Sequence, residues 1–369
     1  MISRDSRRGL PWRIIPQAAA LALASTLAGF GAPPAAANGI GSAYVANSGA
    51  KELTIVDVES LAAVDVIPTK GEPAGLAIDS AGKFIYVAEK DTNDLLIVSR
   101  DDYSTAATIP VGTAPVNVSL SRDGKEAFVV NSGSNDVSVV DTVAKAVVKT
   151  LPAGSQPSAS AALPDGNTVL VANAGSNTVS FEDINAGKSV ADVAVERGPT
   201  AILLSADGKT AYVADKDGNA ISVLDTGARS LTSTIAAGVA PTDLVASPDG
   251  KLLYVTNAGS NDLSTIDIAA RKLTNSIPVG QKPRGIAWNK TQSLLLVTGQ
   301  GDNSLSFVDP ASGSVKQTVK MGQGPGSVAV AYAEPQPGQT ASGAIGVTVG
   351  PDGKTVVTAL PKTGGGGGV

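Results

Sequence analysis

Two carboxylates interrupt a row of asparagines. At positions 42 residues apart the chain carries Asn47, Glu89, Asn131, Asn173, Asp215, Asn257 and Gly299. The loops after the two acids are charged as well, reading Glu89-Lys90-Asp91 and Asp215-Lys216-Asp217. Carboxylates converging on one point can hold a hard cation or move a proton, whereas asparagine in a turn usually serves the turn. A second group of departures follows the prolines that recur with the same period. Two residues after each proline stand Gly75, Asn117, Ala159, Ala201, Asp243, Gly285 and Ser327, and Arg284 is the charged residue directly after Pro283. Glu89, Asp91, Asn117, Asp215, Asp217, Asp243 and Arg284 are therefore the candidate ligand or metal residues. Glu89, Asp215 and Asp243 are expected to hold a Ca²⁺ or Mg²⁺ ion if one binds; no other cofactor is expected.

The elements that must position these residues follow from the period. Tyr44, Tyr86, Phe128, Leu170, Tyr212, Tyr254 and Leu296 recur every 42 residues without insertion or deletion. A period in the low forties, filled with short β-type runs and turn residues, is the mark of a four-stranded propeller blade. In the copy opening at Gly238, Gly238 to Pro241 form a turn into a first strand, Leu244 to Ser247. Pro248-Asp249-Gly250-Lys251 is a hairpin turn, followed by strands Leu252 to Thr256, Leu263 to Ile266 and Leu273 to Ile277. Runs such as Ala201 to Leu204 are apolar at consecutive positions, as expected of sheets covered on both faces.

The fold predicted is an all-β, seven-bladed propeller over residues 38–332, with 42-residue, four-stranded blades. The first copy starts at its second strand, Ala43 to Ala46, and the missing strand recurs in phase at Ser327 to Ala331. Pairing the two ends in one blade closes the ring and hides two sheet edges. In a ring of seven, Glu89 and Asp215 belong to blades three steps apart, so they are expected to face each other across the channel.

Outside the ring, residues 1–37 combine four arginines, an apolar run from Ala18 to Phe30 and Pro33-Pro34-Ala35-Ala36-Ala37, the pattern of a cleaved export signal. Arg7-Arg8 makes the twin-arginine route an alternative to the general one. Residues 333–346 read as a loop rich in Pro, Gly and Gln. Residues 347–360 read as an extra hairpin packing on the propeller, or one competing for the closing position, and 361–369 as a flexible glycine tail. Leu360-Pro361-Lys362-Thr363-Gly364 also matches a wall-sorting signal, without the apolar stretch and basic residues that such a signal needs. The expected location is the periplasm, the cell surface or the medium, with no transmembrane segment once the signal is removed.

Residues 38–369 carry 24 basic and 32 acidic side chains, a net charge of −8, which disfavours nucleic acid as a partner. The chain has no cysteine and no histidine, which removes thiolate chemistry, imidazole bases and the commonest zinc sites.

Tyr254-Val255-Thr256-Asn257, with Ser247-Pro248-Asp249-Gly250-Lys251 before it and Ala258-Gly259-Ser260-Asn261 after it, resembles the YVTN-repeat family of exported β-propellers over about residues 41–331. The resemblance implies a propeller fold and export. It is weakly specific for activity, since such proteins include surface-layer proteins and a periplasmic propeller that binds single-stranded DNA. The expectation carried forward is a monomeric, non-catalytic module that binds a small molecule or a partner protein at the channel mouth. The alternatives are a metal-assisted lactonase, with Arg284 stabilising an oxyanion, and a single-strand nucleic-acid binder. Propeller lactonases whose centre needs histidine are excluded. The asparagines at 131, 173 and 257 and the period-42 aspartates at 57, 141, 183, 225, 267 and 309 are read as scaffold.

Overall fold

The computed structural model describes residues 41–332, 347–349 and 355–357. The export signal, the 333–346 loop, most of the 347–360 hairpin and the glycine tail lie outside the described residues. Strands β1 to β28 form seven four-stranded antiparallel sheets. Blade 2 runs β4 (Pro73–Ile78), β5 (Phe84–Glu89), β6 (Asp94–Ser99) and β7 (Thr105–Pro110) from the axis outward, and blades 3 to 7 repeat it in chain order. Blade 1 combines the two ends. Its innermost strand is β28 (Pro325–Ala331), followed by β1 (Ser42–Asn47), β2 (Glu52–Asp57) and β3 (Ala62–Pro68). β1 pairs with β28 from Ser42↔Ala331 to Val45↔Val328, so the closing position belongs to β28. β29 (Val347–Val349) and β30 (Thr355–Val357) pair with each other as a separate two-stranded sheet. No helix of the described residues is long and apolar enough to cross a membrane.

The middle strands are apolar at consecutive positions because blades stack on both faces. Seven apolar clusters result, each joining two neighbouring blades, with Tyr44, Phe128, Phe181 and Phe307 fully buried at their centres. Burying one such ring contributes about 2–3 kcal/mol.

The innermost strands start earlier than the sequence suggests. In blade 6 the strand β20 is Pro241–Ala246 rather than Leu244 to Ser247, because Pro241 already pairs with Asn257 and a bulge follows it. Proline suits the first residue of a strand, where its missing N–H costs no ladder bond. The bulge places one extra residue against the partner strand, and it recurs in every blade.

Candidate functional site

The acids that interrupt the asparagine row do not meet across the channel. Asn47, Glu89, Asn131, Asn173, Asp215 and Asn257 are all 0 % exposed and lie inside their own blades. Four of the asparagines donate Nδ2 to a hydroxyl seven residues on: Thr54 at 2.7 Å, Ser138 at 2.9 Å, Ser180 at 3.1 Å and Ser264 at 2.8 Å. Glu89, whose blade offers Leu96 in place of that hydroxyl, accepts instead from the Gly71 amide at 3.0 Å. Asp215 accepts from the Ser222 amide at 3.0 Å. The side chain at this position is buried in all six copies that have one, so the acids inherit burial from their repeat.

That burial raises both carboxyls. Asp215 is pushed up to about 7, chiefly by desolvation and further by the charge of Glu196. Glu89 is raised for the same first reason, with Asp94 and Asp91 adding to the rise. One oxygen of each, Glu89 Oε2 and Asp215 Oδ1, has no hydrogen-bond partner. Asp91 and Asp217 sit on exposed loops. Asp91 pairs with Lys51 at 2.7 Å and accepts from the Glu72 amide at 2.6 Å, which lowers its pKa. The Asp217 carbonyl accepts from Arg197 at 3.3 Å.

Asn117 and Asp243 lie within the innermost strands, Asp243 because β20 starts earlier than the sequence suggests, and both reach sideways to the next blade. Asn117 Oδ1 accepts from the Ser160 amide at 3.3 Å, and Asp243 Oδ2 from the Ile286 amide at 3.1 Å. Ser327 makes the same contact with the Leu76 amide at 3.4 Å. Where this position is glycine the neighbouring backbone fills the space: a Cβ on Gly285 would collide with the Gly326 carbonyl oxygen.

Glu89, Asp215 and Asp243 therefore do not form a metal site. Two are buried in separate blades and the third is on an innermost strand. Among the described residues no group of three or more acidic side chains could hold a metal ion.

What the structure does bring together is a polar sector between blades 6 and 7. Asp243 is half-buried; its Oδ1 accepts from the Leu244 amide at 2.9 Å, and burial pushes its carboxyl up to about 6. Arg284, on the next innermost strand β24 (Pro283–Asn289), is exposed, and its charge opposes that rise. The two do not close into an ion pair; the five ion pairs among the described residues lie elsewhere. A Cβ on Gly326 of blade 1 would stand 3.7 Å from Arg284 Cδ, so the guanidinium stem crosses toward that blade over a glycine. Residues equivalent to Arg284 are hydroxyls in blades 4, 5 and 6, where Ser158, Thr200 and Thr242 donate to the next blade's proline carbonyl at 2.7–3.2 Å. Arg284 has no such hydroxyl and carries an exposed cation instead.

Sequence reasoning missed Thr256 and Thr298. They occupy the next-to-last residue of the second strand, where the other copies have Ala46, Ala88, Val130, Ala172 and Ala214. Both are 0 % exposed. The signal was present as two consecutive departures in the blades that carry Asp243 and Arg284.

A family model described as lactonase, 7-bladed beta-propeller matches residues 105–332, more than half of the chain. The chain belongs to this lactonase family. The match overturns the expectation of a non-catalytic binding module, because it sets the chain among propellers grouped by an enzymatic activity. Among solved structures the lactonase-family chain is similar to a functionally unknown protein from Desulfotomaculum acetoxidans, with TM-score 0.71, 18% identity and coverage of 79% of this chain and 99% of that one. It is also similar to the periplasmic gluconolactonase of Pseudomonas aeruginosa, with TM-score 0.68, 20% identity and coverage of 80% and 100%. Hydrazine synthase of Kuenenia stuttgartiensis is similar at TM-score 0.63, 21% identity and coverage of 69% and 88%. Identities this low establish a shared fold alone. No curated protein matches the chain. Within the lactonase family this chain is a member without a single histidine, so an imidazole base is not available to it.

Proposed function

We propose that the protein hydrolyses lactones at the channel mouth between blades 6 and 7, with Asp243 as the general base and Arg284 as the oxyanion partner. One observation carries the reading: Asp243 and Arg284 are the only charged residues on the seven innermost strands, and they stand on adjacent ones. Family membership supplies the reaction class. The ionised Asp243 takes a proton from water as its oxygen bonds to the lactone carbonyl carbon. The carbonyl oxygen becomes anionic and is met by the Arg284 guanidinium. The acyl–oxygen bond then breaks, and the proton held on Asp243 passes to the departing ring oxygen, giving a hydroxy acid. A carboxyl with a pKa of about 6 is poised for this exchange near neutrality. The rate is expected to rise with pH through about 6 as the carboxylate forms.

The test is the initial rate of ring opening on a panel of five- and six-membered lactones in a pH-stat, corrected for spontaneous hydrolysis. Asp243→Asn keeps an acceptor for the Ile286 amide, as Asn117 does in blade 3, and is expected to lower kcat by about 10²–10⁴-fold. Arg284→Gln is expected to cost about 10²–10³-fold. A wild-type rate equal to buffer on every lactone, or full activity in Asp243→Asn, would overturn the reading.

We also infer export, from the arginine-led apolar segment in residues 1–37, the resemblance of the repeat to exported YVTN propellers and the periplasmic provenance of one structural neighbour. Fractionation of cells expressing the full chain tests this; a product that stays in the cytoplasm with its first 37 residues uncut rejects it.

A further inference from the structure

Thr256 Oγ1 accepts from the Asp243 amide at 3.1 Å and donates across the blade boundary to the Arg284 carbonyl at 3.1 Å, with the Asp243 carbonyl close by at 3.2 Å. Thr298 repeats the arrangement one blade on. It accepts from the Gly285 amide at 2.8 Å and donates to the Gly326 carbonyl at 2.7 Å. The two hydroxyls thus make a continuous tie through the bulged ends of three innermost strands: blade 6 with Asp243, blade 7 with Arg284, and blade 1 with the glycine that Arg284 crosses. No other blade has a hydroxyl at this position. Thr242 is drawn in as well, with its Oγ1 3.0 Å from that of Thr256 and donating to the Pro283 carbonyl at 3.0 Å.

A purely structural need for these hydroxyls would be felt in all seven blades, because the bulge is present in all seven. Alanine or valine suffices in five of them. What sets blades 6 and 7 apart is the carboxylate and the guanidinium. We propose that Thr256 is a positioning residue that locks the backbone of Asp243 to the backbone of Arg284, holding the base and the oxyanion partner at a set separation, and that Thr298 anchors the Arg284 side of this tie to blade 1. The proposal rests on the hydrolase reading for its catalytic consequence, but its structural half stands separately. The charged groups facing Asp243 in this sector reduce to Arg284, so the carboxyl reports on the tie directly.

Thr256→Val places in blade 6 the residue that blade 3 already carries as Val130, and Thr256→Ala the residue of four other blades; both are expected to fold. The first readout is the titration of the Asp243 carboxyl by ¹³C NMR, with its resonance assigned through Asp243→Asn. Releasing the tie lets water reach the carboxyl, so its midpoint is expected to fall by about one pH unit toward the ordinary carboxylate value. Thr256→Ser is expected to restore it, and Val130→Ala, at the equivalent position of blade 3, is expected to lower the melting temperature without moving the midpoint. The second readout is lactone hydrolysis, in which Thr256→Val is expected to lower kcat about 10–100-fold with KM within about twofold. An unmoved midpoint in Thr256→Val overturns the positioning role, whatever the activity. Activity lost in Asp243→Asn but fully kept in Thr256→Val overturns it while leaving the hydrolase reading intact. A wild-type protein that opens no lactone overturns the hydrolase reading, and the titration alone then decides the tie.

Discussion

At the scale of single residues, the repeat acts as its own control. Asp215 occupies a fully buried position where four sister blades place asparagine, and its pKa of about 7 stands well above the ordinary 3.8. A carboxyl raised in the folded state binds its proton more tightly there than in the unfolded chain. Its cost is absent below about pH 4, grows as pH rises, and is complete above about 7. Asp215→Asn is therefore expected to stabilise the protein at pH 8 by roughly 1–4 kcal/mol and to have little effect at pH 3.5, a difference that thermal melts across pH resolve. Glu182 offers a parallel case that sequence reading passed over. It is 0 % exposed, both of its carboxylate oxygens lack a partner, and its pKa is pushed up to about 6 by burial, with Asp192 adding to the rise. The equivalent residues are Val56, Val98, Val140, Leu224, Ile266 and Val308. Glu182→Val is expected to stabilise by about 1–3 kcal/mol above pH 7, with the ionisation part of the gain lost below about pH 4 and only the smaller gain from removing a buried neutral carboxyl remaining. Equal melting temperatures for wild type and either variant at pH 8 would show that the orphan oxygens find partners in solution.

At the scale of the strand and its turn, the loops of Asn-x-Gly-Ser-Asn type are scaffold for a reason the sequence only half discloses. Left-handed backbone belongs to the last asparagine of each loop rather than the first. Asn93, Asn135, Asn177, Asn219, Asn261 and Asn303 adopt φ between 53° and 61°. Each accepts from a backbone amide 21 residues on, at 2.7–2.9 Å, and so binds the loop to the turn that leads into the next blade. Asn131, Asn173 and Asn257 instead lie in extended strand and hold the hydroxyl seven residues later. Asn135→Ala loses both the left-handed tolerance and the acceptor, and is expected to cost about 1–3 kcal/mol in urea unfolding. Asn135→Gly should recover the conformational part and not the bond, leaving a smaller loss. The pairing of asparagine with a hydroxyl seven residues on, broken where Glu89 meets Leu96, was legible in the sequence. It marks that row as blade carpentry rather than channel lining. The period-42 aspartates behave as expected, each accepting from turn amides two or three residues on, as Asp141 does from Val143 and Ala144 at 2.8 and 2.7 Å.

At the scale of the whole molecule, stability depends on a closed ring in which every blade is packed on both sides. β28 supplies the innermost strand of blade 1 and also the backbone of Gly326, against which Arg284 and Thr298 are set. A chain ending at Met321 leaves the inner edge of β1 unpaired and the sector between blades 7 and 1 open. Relative to a chain ending at Tyr332, it is expected to lose cooperative unfolding and to aggregate, as read by calorimetry and light scattering. A sharp, unshifted transition would mean that the ring does not need its closing strand.

The number of blades, their four-strand pattern and the shared closing blade were determined by the sequence alone, because a repeat of 42 residues writes the same local solution seven times and turn chemistry punctuates each copy. The direction in which each departure points was decided only by the tertiary structure. A bulge after every proline resets the alternation of side chains along the innermost strand, and burial of the second strand turns Glu89 and Asp215 into the blade interior. Asp243 and Arg284 come to share one sector because two neighbouring blades are pressed edge to edge at the axis, a relation between residues 41 apart that no spacing within a strand expresses.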